Sequence, residues 1–237
     1  MRLNKYIASC GICSRREADK LIESGRITVN GSFPSQGMDV SEADKVFFDG
    51  KEISPKSEHT YLAYYKPVGV TCTEKDAHAD RTVIEDLGLS ERVTYAGRLD
   101  KDSEGLLIMT DDGDLIQAMM KGANGHEKEY IVTVDKDIDK SFIDKMAKGV
   151  YLKELDRTTR PCIVKKLSDR SFDIVLTQGL NRQIRRMCDT LGFKVQTLKR
   201  IRIMSVKLEN YNISPGGYAR LADEQVKRLY AETGLTK

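Results

Sequence analysis

No apolar run in this chain approaches the roughly 18 residues at which a helix reads as a membrane span, so no membrane partner is expected. The opening Met1-Arg2-Leu3-Asn4-Lys5 has no apolar stretch of the secretory kind, and a cytoplasmic location is expected. Histidine is scarce: His59, His78 and His126 form no ligand pair. Of the five cysteines, Cys10-Gly-Ile-Cys13 has zinc or redox spacing, but a zinc site needs about two more soft ligands. Cys72, Cys162 and Cys188 are scattered singletons, which favours reduced structural thiols and no metal. Neither a phosphate loop nor a dinucleotide fingerprint occurs, and there is no internal repeat or low-complexity tract. The chemistry expected is therefore one that uses no cofactor.

The chain's 237 residues suit two domains. Its 40% hydrophobic and 32% charged residues fit a folded globular protein. The net charge of +3 says little, but its distribution says more. Between Gln178 and Lys207 stand eight Lys/Arg against one acid, Asp189, whereas Asp100 to Asp114 holds six acids and one lysine. Such segregation points to one face for an anionic ligand.

Leu3–Ser9 reads as a short helix stopped by Gly11. Ser14-Arg15-Arg16-Glu17 is a capping box, in which the serine oxygen takes a free backbone N–H and the glutamate reaches back. It opens a second helix, with Ala18, Leu21 and Ile22 on one face and Gly25 at its end. Arg26–Val29 and Val46–Phe48 read as strands running into turns at Asn30-Gly31 and Asp49-Gly50. The polar stretch Gly50–Thr60, with Pro55, joins this unit to the rest. The boundaries expected are 1–55, a linker at 56–60, and a second domain at 61–237. Strands are expected there at 61–65, 128–135, 161–167, 171–177 and 201–208, and helices at 139–149, 180–191 and 222–233. Because strands and helices do not alternate, the class expected is α+β with a mixed, largely antiparallel sheet.

Three readings compete for Gly97-Arg98-Leu99-Asp100-Lys101-Asp102-Ser103-Glu104-Gly105. Asp100, Asp102, Glu104 and Gly105 match the first half of a calcium loop, but the twelfth position is Asp111 rather than Glu, and the preceding residues do not look helical. A solvated acidic turn is the bland alternative. The third is a catalytic carboxylate beside an arginine. In the segment 180–191, a repeat of about 3.6 residues gathers Leu180, Ile184, Met187, Cys188 and Leu191 on one face and Arg182, Arg185, Arg186 and Asp189 on the other. Such a helix can sit on a core and present its arginines to phosphate.

Several of these strings resemble a known family. RLNKYIASCGICSRREADKLIESGRITVNG, residues 2–31, closely resembles the small RNA-binding domain named after ribosomal protein S four. By that resemblance Arg2, Lys5, Arg15 and Arg16 belong to an RNA-docking surface. GRLDKDSEGLL resembles the catalytic motif of the RNA pseudouridine synthases, in the branch typified by ribosomal small-subunit pseudouridine synthase A. Lys66-Pro67-Val68-Gly69, His126–Val132 and TQGLNRQIRRMCDTLGF are similar to that family's other motifs, as is Leu198–Ile203. HEKEYIVTVDK and QGLNRQIRRMC are most similar to the enzymes acting on large-subunit ribosomal RNA.

The resemblance implies a small N-terminal RNA-binding domain of two helices plus a short sheet, followed by a catalytic domain. It implies Asp100 as nucleophile, Tyr130 stacking on the base, and Arg185 paired with Asp100. It further implies Lys66 and Arg98 beside the substrate, Arg182 and Arg186 on RNA phosphate, and Leu198 closing the site. The partner implied is ribosomal RNA, large-subunit rRNA or its assembly particle, met by a monomer. A non-catalytic RNA-binding or ribosome-assembly factor would use the same surfaces, and a carboxylate hydrolase of another polymer is a weaker alternative.

Overall fold

The computed structural model describes residues 1–73, 81–121 and 125–236; His78 lies outside the described residues. The chain divides into two compact units. One comprises Met1–Thr60 with Ser90–Val93 and Asp111–Gly113, and the other comprises the remainder.

In the first unit, α1 (Leu3–Ser9) and α2 (Arg15–Glu23) stand on a three-stranded antiparallel sheet of β1 (Ile27–Val29), β2 (Val46–Phe48) and β3 (Lys51–Ile53). The capping box forms as its residue types require: Glu17 N–H donates to Ser14 Oγ, and Ser14 N–H donates to Glu17 at 2.9 Å. Leu3, Ile7, Ala18, Ile22, Ile27, Val29 and Val46 close the core. Asn30-Gly31 makes a tight turn with both residues at positive φ, but only a single bridge, Val29 to Ser32, follows it. The partner of β1 is β2, in the antiparallel register Ile27–Phe48 to Val29–Val46. Lys51–Ile53, which reads from sequence as part of the polar join, is instead the third strand. Its pairing Phe48–Lys51 closes across Asp49-Gly50, again at positive φ.

The second unit is built on one mixed sheet. Its members in chain order are β4 (Tyr61–Lys66), β5 (Thr94–Tyr95), β6 (Glu104–Thr110), β7 (Lys128–Val134), β10 (Ile163–Lys166), β11 (Ser171–Leu176), β12 (Val195–Ile203), β13 (Val206–Lys207) and β14 (Tyr218–Arg220). The short pair β8 (Tyr151–Leu152) and β9 (Arg157–Thr158) stands apart. The main order is β10-β11-β7-β12-β6-β4-β14. Every pairing in it is antiparallel except β12–β6, where Lys199 and Arg200 run parallel to Glu104 and Gly105. The helices are α3 (Val83–Leu87), α4 (Gly113–Met120), α5 (Lys140–Lys148), α6 (Gln183–Thr190) and α7 (Asp223–Thr233).

Two hydrophobic clusters cover this sheet. Leu106, Ile108, Leu115, Met119, Ile203, Val226 and Leu229 belong to one. Val132, Phe142, Met146, Phe172, Ile174, Ile184, Met187 and Leu198 belong to the other. Burying each such side chain stabilises the unit by roughly 1.5–3 kcal/mol. Strand β12 contributes to both clusters, through Leu198 and Ile203.

Sequence patterns placed β4, β7, β10, β11, α5 and α7 well. They missed β6, a continuously buried run without alternation, and the helices α3 and α4. The strand expected at 201–208 begins earlier, at Val195, and turns at Met204 before β13. Helix α6 begins at Gln183 rather than at 180.

Candidate active site

A cleft of about 540 Å³ opens in the second unit, lined by Arg98, Asp100, Lys128, Tyr130, Leu198 and Arg200 among others. Met119 reaches it from one hydrophobic cluster, and Ile184 and Leu198 from the other. The sheet register explains the convergence. Successive side chains of a strand point to opposite faces. Arg200 therefore stands opposite Tyr130, and Leu198 opposite Val132, all directed to one face.

Asp100 lies on the loop before β6, and its neighbours are fixed one after another. Arg98 O accepts from Arg200 Nη1 at 3.2 Å. Leu99 N–H donates to Cys72 Sγ at 3.4 Å. Lys101 O accepts from Gly69 N–H at 2.7 Å. Asp102 O accepts from Arg185 Nη2 at 2.8 Å. Ser103 O accepts from Lys66 Nζ at 2.7 Å, and Ser103 N–H closes the loop onto Asp100 O at 3.1 Å. A carboxylate on such a loop keeps its position at little entropic cost when a substrate arrives. The calcium reading fails because Glu104 and Gly105 already belong to β6.

Gly105 is required where it stands. It sits at φ +112°, and a Cβ there would come within 2.7 Å of Arg200 N and closer still to Arg200 O. Only glycine lets β6 and β12 approach this closely.

The arginines of α6 are distributed differently from the expectation. Arg182 takes the N-cap position at φ +50°. That swings its guanidinium to Asp102, at 2.9 Å, and to within 3.7 Å of Asp100 Oδ2. Arg185 does not pair with Asp100. It is 11% exposed and is held by Asp102 and by Ser103 Oγ at 3.2 Å. The reason is the late helix start, which places Arg182 outside the helix and leaves Arg185 one turn deeper. Arg186 pairs with Glu154 and donates to Asn181 O, so it is not an unengaged phosphate contact. Burial pushes the Asp102 carboxyl up, but the hydrogen bond from Arg182 and the charges of Arg185 and Arg182 outweigh this and hold it below the usual carboxylate range.

Lys66, expected beside the substrate, is withdrawn from the surface. It is fully buried and donates to Pro67 O and Ser103 O, each at 2.7 Å, and burial lowers its pKa. Leu198 is buried at the cleft wall, and Arg98 is exposed at its edge. In the first unit Arg15 and Arg16 are exposed at the start of α2 and Lys5 is half-buried on α1. Arg2 is tied to Gly37 O and, at 3.6 Å, to Asp39. Burial pushes the Cys10 thiol up to about 11, with the Cys13 thiol adding to it.

Sequence reasoning gave no role in the cleft to Cys72, Ser103, Lys128 or Arg200, and read Gly105 only as part of a calcium-loop pattern. Lys128 and Arg200 carried a usable signal, since each is two residues from an expected site residue on a strand and hence on its face. Beyond α6 lies a second groove of about 530 Å³, where Lys153, Arg182, Arg185, Arg186 and Lys194 outnumber Glu154 and Asp189.

An ionisable carboxylate pinned beside an arginine, with a tyrosine across a cleft and a cationic groove adjoining, defines a protein built to act on a polyanion. Residues 60–190 match the family of RNA pseudouridylate synthases and residues 1–46 match the S4 domain; the chain belongs to the RNA pseudouridylate synthase family. It is 44% identical over 232 residues to the dual-specificity RNA pseudouridine synthase RluF of Escherichia coli (strain K12), covering 97% of this chain and 78% of that protein. It is 30% identical over 229 residues to ribosomal small subunit pseudouridine synthase A of Pasteurella multocida (strain Pm70), covering 95% and 98%. A solved pseudouridylate synthase superposes with a TM-score of 0.71 at 27% identity, covering 97% of this chain and 99% of that one.

Proposed function

We propose that the protein isomerises uridine to pseudouridine in ribosomal RNA, most specifically in the large subunit, with Asp100 as nucleophile. The observation that carries this reading is the meeting of Asp100 and Tyr130 in one cleft, within a chain of this family. Pseudouridine formation breaks the bond from N1 of the base to C1′ of the sugar, turns the uracil and joins C5 to C1′. Nothing is gained or lost. The base must leave its stack to be reached, and the ring of Tyr130 offers it a surface. Asp100 either forms an ester at C1′ or removes the C2′ proton to give a glycal. Both routes need it held in place, and Arg182 orients it directly while Arg185 does so by holding Asp102 O and Ser103 Oγ.

The groove beyond α6 suits flanking phosphates. The N-terminal domain, with Arg15 and Arg16 exposed on α2 and Lys5 half-buried on α1, acts as a separate RNA anchor joined at residues 56–60. The protein works as a cytoplasmic monomer. Large-subunit specificity is supported by the likeness of HEKEYIVTVDK and QGLNRQIRRMC to enzymes of that group.

The test is pseudouridine mapping of ribosomal RNA from cells with and without the gene, repeated with purified protein. Asp100→Asn should abolish pseudouridine formation and leave RNA affinity within a few-fold; measurable turnover by that variant refutes the nucleophile assignment. Deleting residues 1–55 should weaken RNA binding while the remainder still unfolds cooperatively; unchanged affinity removes the anchoring role.

A further inference from the structure

Two cations of the catalytic cleft have no carboxylate partner among the described residues. Arg200 is 1% exposed. Its Nε donates to Leu106 O at 2.7 Å and its Nη1 to Arg98 O, while Nη2 is buried without a partner. Lys128 is half-buried, and its Nζ has one long contact, 3.4 Å to His126 O. Both line the cleft with Asp100 and Tyr130. Lys128 is two residues before Tyr130 on β7 and shares its face, and Arg200 is the cross-strand partner of Tyr130. A cation withdrawn from water with no counter-charge is costly, and it remains at an active site where an anion is to be formed.

We propose that Lys128 is a catalytic residue that stabilises the uracil anion as it leaves the sugar, with Arg200 as a positioning residue that adds its field. The proposal rests on the reading of the site as a pseudouridine synthase. When the N1–C1′ bond breaks, its electron pair goes to the base and spreads over N1, O2 and O4. In the ester route the carboxylate of Asp100 takes C1′, so one negative charge passes from Asp100 to uracil. In the glycal route Asp100 takes the C2′ proton, and the same charge is transferred. On rejoining, C5 bonds to C1′, Asp100 or its proton is released, and the proton lost from C5 is balanced by one gained at N1. The anion exists only between these events, beside the ring of Tyr130, on the face Lys128 occupies. Burial lowers the Lys128 pKa, and the nearby charge of Arg200 lowers it further.

The discriminating probe is the leaving ability of the base. Fluorine at C5 makes uracil a more stable anion, so 5-fluorouridine needs less help. Full-length wild type, Lys128→Gln and Lys128→Arg are compared in single turnover, at saturating enzyme, on two transcripts of large-subunit rRNA, one with uridine and one with 5-fluorouridine. Consumption of the target nucleoside is read after nuclease digestion. Lys128→Gln should slow cleavage of uridine by about 100-fold, the scale of one lost charge-stabilising donor. It should slow 5-fluorouridine by at least tenfold less, and Lys128→Arg should recover much of the loss. Equal losses on both transcripts, or a loss confined to RNA affinity, overturn the proposal and make Lys128 a structural or phosphate contact. Wild type that leaves uridine unchanged would refute the functional reading itself, a separate outcome.

Discussion

Gly105→Ala should injure both the fold and the chemistry, by amounts that can be worked out. The new methyl carbon would stand 2.7 Å from Arg200 N, with Arg200 O nearer still, and both are backbone atoms of β12 that cannot rotate away. Holding alanine at φ +112° costs about 1–3 kcal/mol. Forcing β6 and β12 apart costs a further 1–3 kcal/mol or so, as for other overpacked interiors. The sum, roughly 2–6 kcal/mol, is a large share of the 5–15 kcal/mol typical of a domain. The same shift would move Asp100, because Arg200 holds both Arg98 O and Leu106 O. A displacement of about 1 Å at a reacting group costs on the order of 100-fold in rate. The control is Gly88→Ala at the end of α3, at φ +61° with nothing within 4 Å, where only the left-handed penalty of about 1–2 kcal/mol applies. Urea unfolding and single-turnover rates of both variants make the comparison. If Gly105→Ala unfolds at the same urea concentration as Gly88→Ala and turns over at the wild-type rate, the account of the β6–β12 contact is wrong.

Arg182→Ala and Arg185→Ala should both lower the saturated rate, the second also lowering stability by about 1 kcal/mol because Asp102 O and Ser103 Oγ lose a donor. Arg186→Ala should chiefly weaken RNA binding and flatten its salt dependence, as affinity measured at two salt concentrations will tell. Asp173 predicts a pH effect. Burial, the charge of Glu129 and a hydrogen bond to it raise the Asp173 pKa to about 6, so the folded state holds a proton that the unfolded state has already released. The folded state is favoured below the ordinary carboxylate range, and stability is lost as pH rises through about 6. Asp173→Asn should therefore raise Tm at pH 8 and leave it nearly unchanged at pH 4, and an equal shift at both pH values would contradict this.

The elements that sequence made legible are those with one wet face. Strand β11 alternates buried and half-buried along its length, and α5 carries Phe142 and Met146 on one side under an Asp139 cap. β6 was invisible for the opposite reason: from Gly105 to Thr110 it is buried on both faces, so no periodicity distinguishes strand from helix. Asp100, Tyr130 and Leu198 were legible as motif residues, and the cleft contains all three. The arginine beside Asp100 was not, because helical spacing puts Arg182, Arg185 and Arg186 on a single face. What separates them is a backbone angle, φ +50° at Arg182, and nothing in the pattern of apolar residues encodes it. Lys66 was legible as a motif residue beside the substrate, but not that two backbone carbonyls would take the place of solvent around its ammonium.

The parallel seam between β6 and β12 has a temporal consequence. Arg200 and Leu106, whose hydrogen bond crosses it, lie 94 residues apart in the chain, and β12 inserts between β7 and β6. Distant pairings of this kind form slowly because the intervening chain must first be ordered. On a ribosome releasing the chain from its N-terminus, the Asp100 segment emerges long before the strand that will clamp it. Until β12 arrives, β6 is an open edge, the loop has no tether at Arg98, and Leu198 and Arg200 have not reached Tyr130. A nascent chain can therefore display its N-terminal RNA-docking unit while its chemistry is still unassembled, and reactivity waits for β12 to take its place.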